Sequence, residues 1–223
     1  MPTSIVRRIY CLLLLGLPFP LNFSTAVAAT DTPPTEHRTA DGRLISLTRA
    51  QCRTLVWSRR PTGTDVTTDC LEAGIYDPCD DASSPSTVGT CYAAHLELAE
   101  RRIKRAEHKL VQLTPEASEV RDTKETLSSA RAQWDKRIDA YCKEQDRLSR
   151  KAEEEYGQQS RYPTGVDSGQ DFSDCLIQER EEWARELESF VSELTRTRDG
   201  LQRIRVHGRL MDFLSAKSLM YHR

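Results

Sequence analysis

The feature that most constrains this chain is a helical apolar rhythm running from Cys91 to Leu194, marked out by Cys91, Cys142 and Cys175. In the first segment Leu96, Ala99, Ile103, Ala106, Leu110 and Leu113 recur in steps of three and four. That spacing is a helix stripe and not a strand alternation. In the second, Leu127, Trp134, Tyr141 and Leu148 fall seven apart, with Ala130, Ile138 and Ala152 alongside. In the third, Leu176, Trp183, Phe190, Ile204 and Met211 lie on one heptad line and Leu187, Leu194 and Leu201 on the other. A helix buries such a stripe only against other stripes, so the expected fold is all-α. It is read as an elongated antiparallel three-helix bundle, with a disulfide-stapled cap ahead of it.

The segments outside the rhythm set the domain plan. Residues 1–28 read as a secretory signal, with Arg7 and Arg8 as the charged start, Ile9 to Leu21 as the apolar run, and Ala26-Val27-Ala28 as the cleavage site. The run is too short for a membrane span, which takes ~20 residues. Cleavage near Ala28 makes the chain periplasmic or secreted and takes Cys11 away with the signal. Residues 29–43, rich in Thr, Pro and Asp, read as a flexible tether. Residues 44–90 form the cysteine-rich cap. It has a short helix around Leu44 to Trp57, where Thr48 and Gln51 fit a capping box, and a second short turn near Asp69 to Ala73.

Residues 91–200 are the helical domain. Helix one is expected from Thr90 or Cys91 to Leu113, then Thr114 as the cap of a second helix with Pro115 at its first position. That helix continues to Tyr156. Gly157 to Gln170 is a long loop carrying Arg161 and Tyr162, and helix three starts near Phe172 with Asp171 or Ser173 as its cap. Gly200 and Gly208 bend or end helix three. Residues 201–223 form a basic amphipathic helix that docks on the bundle, meets an acidic envelope surface, or makes an oligomer contact. The sequence leaves the oligomeric state open.

With the signal removed, six cysteines remain: Cys52, Cys70, Cys79, Cys91, Cys142 and Cys175. An even number in an oxidising compartment implies disulfides, and six cysteines allow fifteen pairings. A Cys52–Cys70 bridge inside the cap is one of them. There is no C-x-x-C and no histidine pair at zinc-finger spacing, so the expectation is disulfides and no metal. The chain carries a net charge of −2, and losing Arg7 and Arg8 takes it to −4, without a broad basic field. That argues against nucleic acid as a partner. No protease, esterase, P-loop or dinucleotide motif occurs, and His37, His95, His108, His207 and His222 are dispersed. No catalytic residue and no cofactor is expected, so the chain reads as a non-enzyme.

One pattern carries further. Cys79 is followed twelve positions on by Cys91 and a charged helix. Then comes Trp134-Asp135-Lys136-Arg137-Ile138-Asp139-Ala140-Tyr141-Cys142, with a tryptophan eight before a cysteine and the acid Asp139 three before it. After a glycine-containing loop, Cys175 opens a helix with Leu187 twelve positions on. This frame, over about residues 76–194, resembles a distant member of the LprI-like lysozyme-inhibitor domain family. It departs from the family where Ile138 precedes the acid, with Arg137 shifted by one, and where Pro163 to Gly169 replaces a Gly-Gly-Ser element. The resemblance implies an exported envelope protein that binds a lysozyme-type peptidoglycan hydrolase and blocks its cleft. A cleft built on two carboxylates accepts a cation, which makes Arg59, Arg60 and Arg161, with Tyr162, the partner-contact candidates. A structural interaction protein of the envelope, or an immunity protein against a wall-degrading toxin, is the alternative.

Overall fold

A computed structural model describes residues 36–40, 42–58, 64–114, 117–156 and 167–219. All of these belong to the unit Pro33–Arg223. The signal reading of residues 1–28 lies outside the described residues, as do Arg59, Arg60, Arg161 and Tyr162.

The tether reading gives way at its end to a small ribbon. β1 (His37–Arg38) pairs antiparallel with β2 (Leu44–Ile45). Gly42 sits at φ 86° in the turn between them, where its N–H donates to the Thr39 carbonyl at 2.9 Å. Only a residue without Cβ takes that backbone without strain. Thr39 is buried, and its hydroxyl accepts from the Arg43 N–H at 3.1 Å.

α1 (Arg49–Val56) starts at the expected capping box: the Gln51 N–H donates to Thr48 Oγ1, and the Thr48 N–H to Gln51 Oε1 at 2.8 Å. α2 (Thr64–Glu72) ends at Gly74, whose φ of 67° is the left-handed turn that closes a helix C-terminus. A 3-10 turn (Pro78–Asp81) follows, capped by the Asp77 carboxylate, which accepts from the Cys79 N–H at 2.8 Å. Ile45, Cys52, Cys70, Ile75 and Tyr76 form the cap's own small core around the Cys52–Cys70 disulfide. Trp57 Nε1–H donates to the Tyr76 hydroxyl at 2.7 Å, which donates to Asp81 Oδ2 at 2.6 Å. Burial and that bond to Asp81 together push the Tyr76 phenol up.

Four long helices carry the rest: α3 (Pro85–Leu113), α4 (Ala117–Tyr156), α5 (Asp167–Arg196) and α6 (Gly200–Leu219). α3 begins ahead of the expected Thr90 because Ser84, Pro85 and Thr87 make a complete capping box with proline at the first position. Thr114 closes α3, its N–H donating to Val111 O and its hydroxyl to Leu110 O; the expected helix start at Pro115 lies outside the described residues. α5 begins at Asp167, taking the end of the expected loop into helix, so the expected caps Asp171 and Ser173 lie inside it. Arg102 pairs with Glu188 and His95 faces Glu181, so α3 and α5 run parallel. Thr114 meets Thr123 and Arg131 faces Glu107, so α4 runs antiparallel to α3. Lys217 with Glu182 and Arg209 with Glu193 set α6 antiparallel to α5.

The three-helix expectation therefore becomes four, and α6 is the reason. Val206, Leu210 and Leu214 are fully buried in the shared core with Ile103, Leu110, Trp134, Ile138, Trp183, Leu187 and Leu194. The heptad drawn through Leu201 and Ile204 fails, leaving them 71% and 49% exposed. The chain breaks at Thr197 to Asp199, and the Asp199 carboxylate caps a new helix by accepting from Leu201 N at 2.8 Å. A new helix resets the register. In α4 the heptad line also leaves the core, with Tyr141 at 37% and Leu148 at 44% exposed, while Ile138 and Cys142 continue it in steps of four. A straight helix drifts about 20° per heptad, so a strict seven-residue line rotates outwards.

The three disulfides are Cys52–Cys70, Cys79–Cys91 and Cys142–Cys175. They join α1 to α2, the 3-10 turn to α3, and α4 to α5. Among the described residues no helix is long and apolar enough to cross a membrane.

Candidate functional site

The polar centre of the bundle is built on α4 around Trp134. Residues four apart share a helix face, so Arg131 and Asp135 sit together and their side chains pair at 3.0 Å. Opposite them α3 presents Glu100, Lys104, Glu107 and His108, at spacings of three and four that again select one face. α5 contributes Arg180. Arg131 pairs with Glu100, and Arg180 joins the same carboxylate at 2.9 Å and Asp135 at 3.2 Å. Both guanidiniums lie over the Trp134 indole, at 5.5 and 5.8 Å from the ring. Trp134 stacks in turn on Trp183, with centroids 4.9 Å apart.

This arrangement separates the two glutamates of α3 electrostatically. Burial alone would push the Glu100 carboxyl up, but Arg131, with Lys104 and Arg180 behind it, outweighs burial and holds it below the usual carboxylate range. Glu107 has a looser 3.7 Å contact to Arg131, so burial dominates and raises its carboxyl. Its Oε1 is buried without a hydrogen bond. For Arg131, burial disfavours the charge, yet Asp135 and Glu100 more than offset this and the guanidinium stays firmly protonated.

Beside this cluster α3 and α4 leave a groove of about 710 Å³. Val111 and Leu127 give it an apolar floor, Glu107 and Arg131 a polar wall, and Lys104 and Lys124 a cationic rim. Its size falls within the range of ligand clefts. An apolar floor under exposed ammonium groups can hold an acidic, partly apolar segment of a partner.

The residues of the family frame take separate places in the fold. Trp134 and Leu187 are fully buried and serve the core. Asp139 is half-exposed on α4 and pairs with Lys143, at 2.7 Å, one turn along the same helix. All six cysteines among the described residues are paired. The cluster of Glu100, Glu107, Arg131, Asp135 and Arg180 was not singled out from the sequence. Its one local signal is Arg131 and Asp135 straddling Trp134; the other members arrive from α3 and α5. No family model, no curated protein and no solved structure matches this chain.

Proposed function

We propose that this protein is an exported binding protein that occludes the cleft of a lysozyme-type peptidoglycan hydrolase. The observation that carries the reading is the three-disulfide stapling of a charged helical scaffold, a device of oxidising compartments. A scaffold held this way loses less entropy on binding than an unstapled one. Arg59 and Arg60 lie between α1 and α2, and Arg161 and Tyr162 between α4 and α5. A guanidinium inserted between two cleft carboxylates would exclude substrate without any chemistry by the inhibitor.

The second reading is a non-inhibitory interaction protein of the envelope, or an immunity protein with one private toxin as partner. The α3–α4 groove favours it, since that surface can seat a partner segment without the loop arginines. An oligomer contact through the segment beyond Leu194 has, among the described residues, only Leu201 and Ile204 left to offer, because Val206, Leu210 and Leu214 are spent on docking α6.

The test uses the oxidised protein from residue 29 onward and measures lysis of peptidoglycan by lysozymes of several types. Dose-dependent inhibition with a one-to-one complex is expected, and Arg→Ala at 59, 60 and 161 together should weaken it at least tenfold. Folded protein that inhibits none of them overturns the inhibitor reading, and capture of a partner from its own envelope then decides for the second.

A further inference from the structure

Where the cap meets α3, Asp77, Cys79 and His95 bring a carboxylate oxygen, a sulfur and a ring nitrogen within 4.8 Å of one another. Cys79 is bonded to Cys91, so a fourth ligand-type atom adjoins the group. The sequence arranges this in two steps. Asp77 caps the 3-10 turn through the Cys79 N–H, which fixes both residues against α3. Cys91 and His95 are four apart on α3 and therefore share a face. His95 Nε2 lies 3.2 Å from Asp77 Oδ1, and its other ring nitrogen lies 3.9 Å from Glu181 Oε1 on α5.

We infer that reduction of the Cys79–Cys91 bond turns this corner into a zinc-class metal site, with Cys79, Cys91, His95 and Asp77 as ligands. Zinc takes four such nitrogen, sulfur and oxygen donors in a tetrahedron. A nitrogen and an oxygen each ~2.0–2.1 Å from one zinc lie roughly 3.3 Å apart, and His95 and Asp77 are already at 3.2 Å. Two thiolates on zinc lie ~3.7 Å apart, a separation that side-chain rotation reaches once the covalent bond is cut. Glu181 Oε1, at 3.9 Å, is beyond hydrogen-bond reach of the other ring nitrogen but within a side-chain rotation of accepting from it once the imidazole holds a metal. It is a positioning residue.

The steps balance. A dithiol reductant gives two electrons and two protons to the disulfide, leaving two thiols and its own disulfide. Metal binding then releases both thiol protons. His95 Nε2 donates to Asp77 in the oxidised protein; to bind through Nε2 the ring exchanges that proton for one on Nδ1, towards Glu181, with no net change on the imidazole. Disulfide and metal are alternative staples for one junction, the first for oxidising surroundings and the second for a chain that carries thiols there.

The test is cobalt(II) titration, as a spectroscopic stand-in for zinc, of the whole protein reduced with a phosphine and monitored for helix content by circular dichroism. One equivalent with thiolate-to-cobalt charge transfer and the strong visible bands of a tetrahedral ion is expected, and neither from oxidised protein. Cys91→Ser and His95→Gln should weaken binding at least a hundredfold. Glu181→Gln should keep the spectrum and weaken binding about tenfold, and Cys142→Ser with Cys175→Ser should leave it unchanged. No cobalt uptake by reduced protein overturns the inference. So does equal uptake by His95→Gln, because thiols of an unfolded chain bind without the imidazole, and so does loss of binding in the Cys142 and Cys175 variant.

Discussion

The Trp134 and Trp183 indoles stack at 4.9 Å with 30° between their planes, both fully buried, and they join α4 to α5 at the centre of the bundle. Phe213 of α6 reaches the same centre, 5.8 Å from the Trp183 ring. One aromatic group thus ties three helices together. Trp134→Ala should destabilise by about 3–5 kcal/mol, the usual cost of emptying a large buried site. Trp183→Phe should cost well under half of that, because Trp183 Nε1 is buried without a hydrogen bond and phenylalanine removes that orphan donor. Urea unfolding followed by circular dichroism compares the two.

Arg131 is the hub of the ion cluster, facing Glu100, Glu107 and Asp135. Arg131→Ala leaves carboxylates without their shared cation and should destabilise by about 3 kcal/mol. Replacing Arg131 and Glu100 together by Met and Leu should cost less than Arg131→Ala alone, since the Glu100 carboxylate is not left behind and Asp135 keeps Arg180. A double-mutant cycle in urea measures the difference.

Glu100 and Glu107 should give opposite pH slopes. The Glu100 carboxyl is held low when folded, so its contribution is present above the ordinary carboxylate range and is lost as pH falls through the folded value. Glu107 is raised, so the folded protein holds its proton more tightly, and stability falls as pH rises from the ordinary range to the folded value. Glu100→Gln should therefore lower the melting temperature at pH 7 and lower it less in acid. Glu107→Gln should raise it at pH 7 and lose that advantage in acid. Calorimetry of both variants from pH 3 to 8 decides; equal shifts at every pH would refute the assignment.

The Cys142–Cys175 bond closes 33 residues, and Cys52–Cys70 closes 18. Serine at both positions of either pair should cost about 2–4 kcal/mol, somewhat more for the longer loop. The effects should differ in place. Loss of Cys142–Cys175 should raise amide exchange at the facing ends of α4 and α5, and loss of Cys52–Cys70 should raise it in the cap alone.

α6 is held by a buried polar contact as well as by its apolar face. His207 Nε2 and Thr123 Oγ1 meet at 2.8 Å, and Lys217 is buried beside Glu182. Leu210→Ala should destabilise by about 2–5 kcal/mol and make α6 the first helix to exchange its amides, with α3 and α5 protected longer.

The sequence by itself determined the helical class, the apolar stripe of α3, and the Thr48 and Gln51 cap. These are local matters: a side-chain period and a capping group carry their own physical meaning. The tertiary structure decided which stripe meets which, because pairing depends on helix direction and on where the chain breaks. It moved Leu201 and Ile204 into solvent and Val206 and Leu210 into the core, since Asp199 caps a new helix and resets the register. It chose three cysteine pairs from fifteen possible pairings, because the bonds follow side-chain proximity and not order along the chain. It also assembled Glu100, Arg131 and Arg180 from three helices, and Asp77, Cys79 and His95 from a turn and a helix. No linear spacing encodes a site whose parts meet only when separate elements pack.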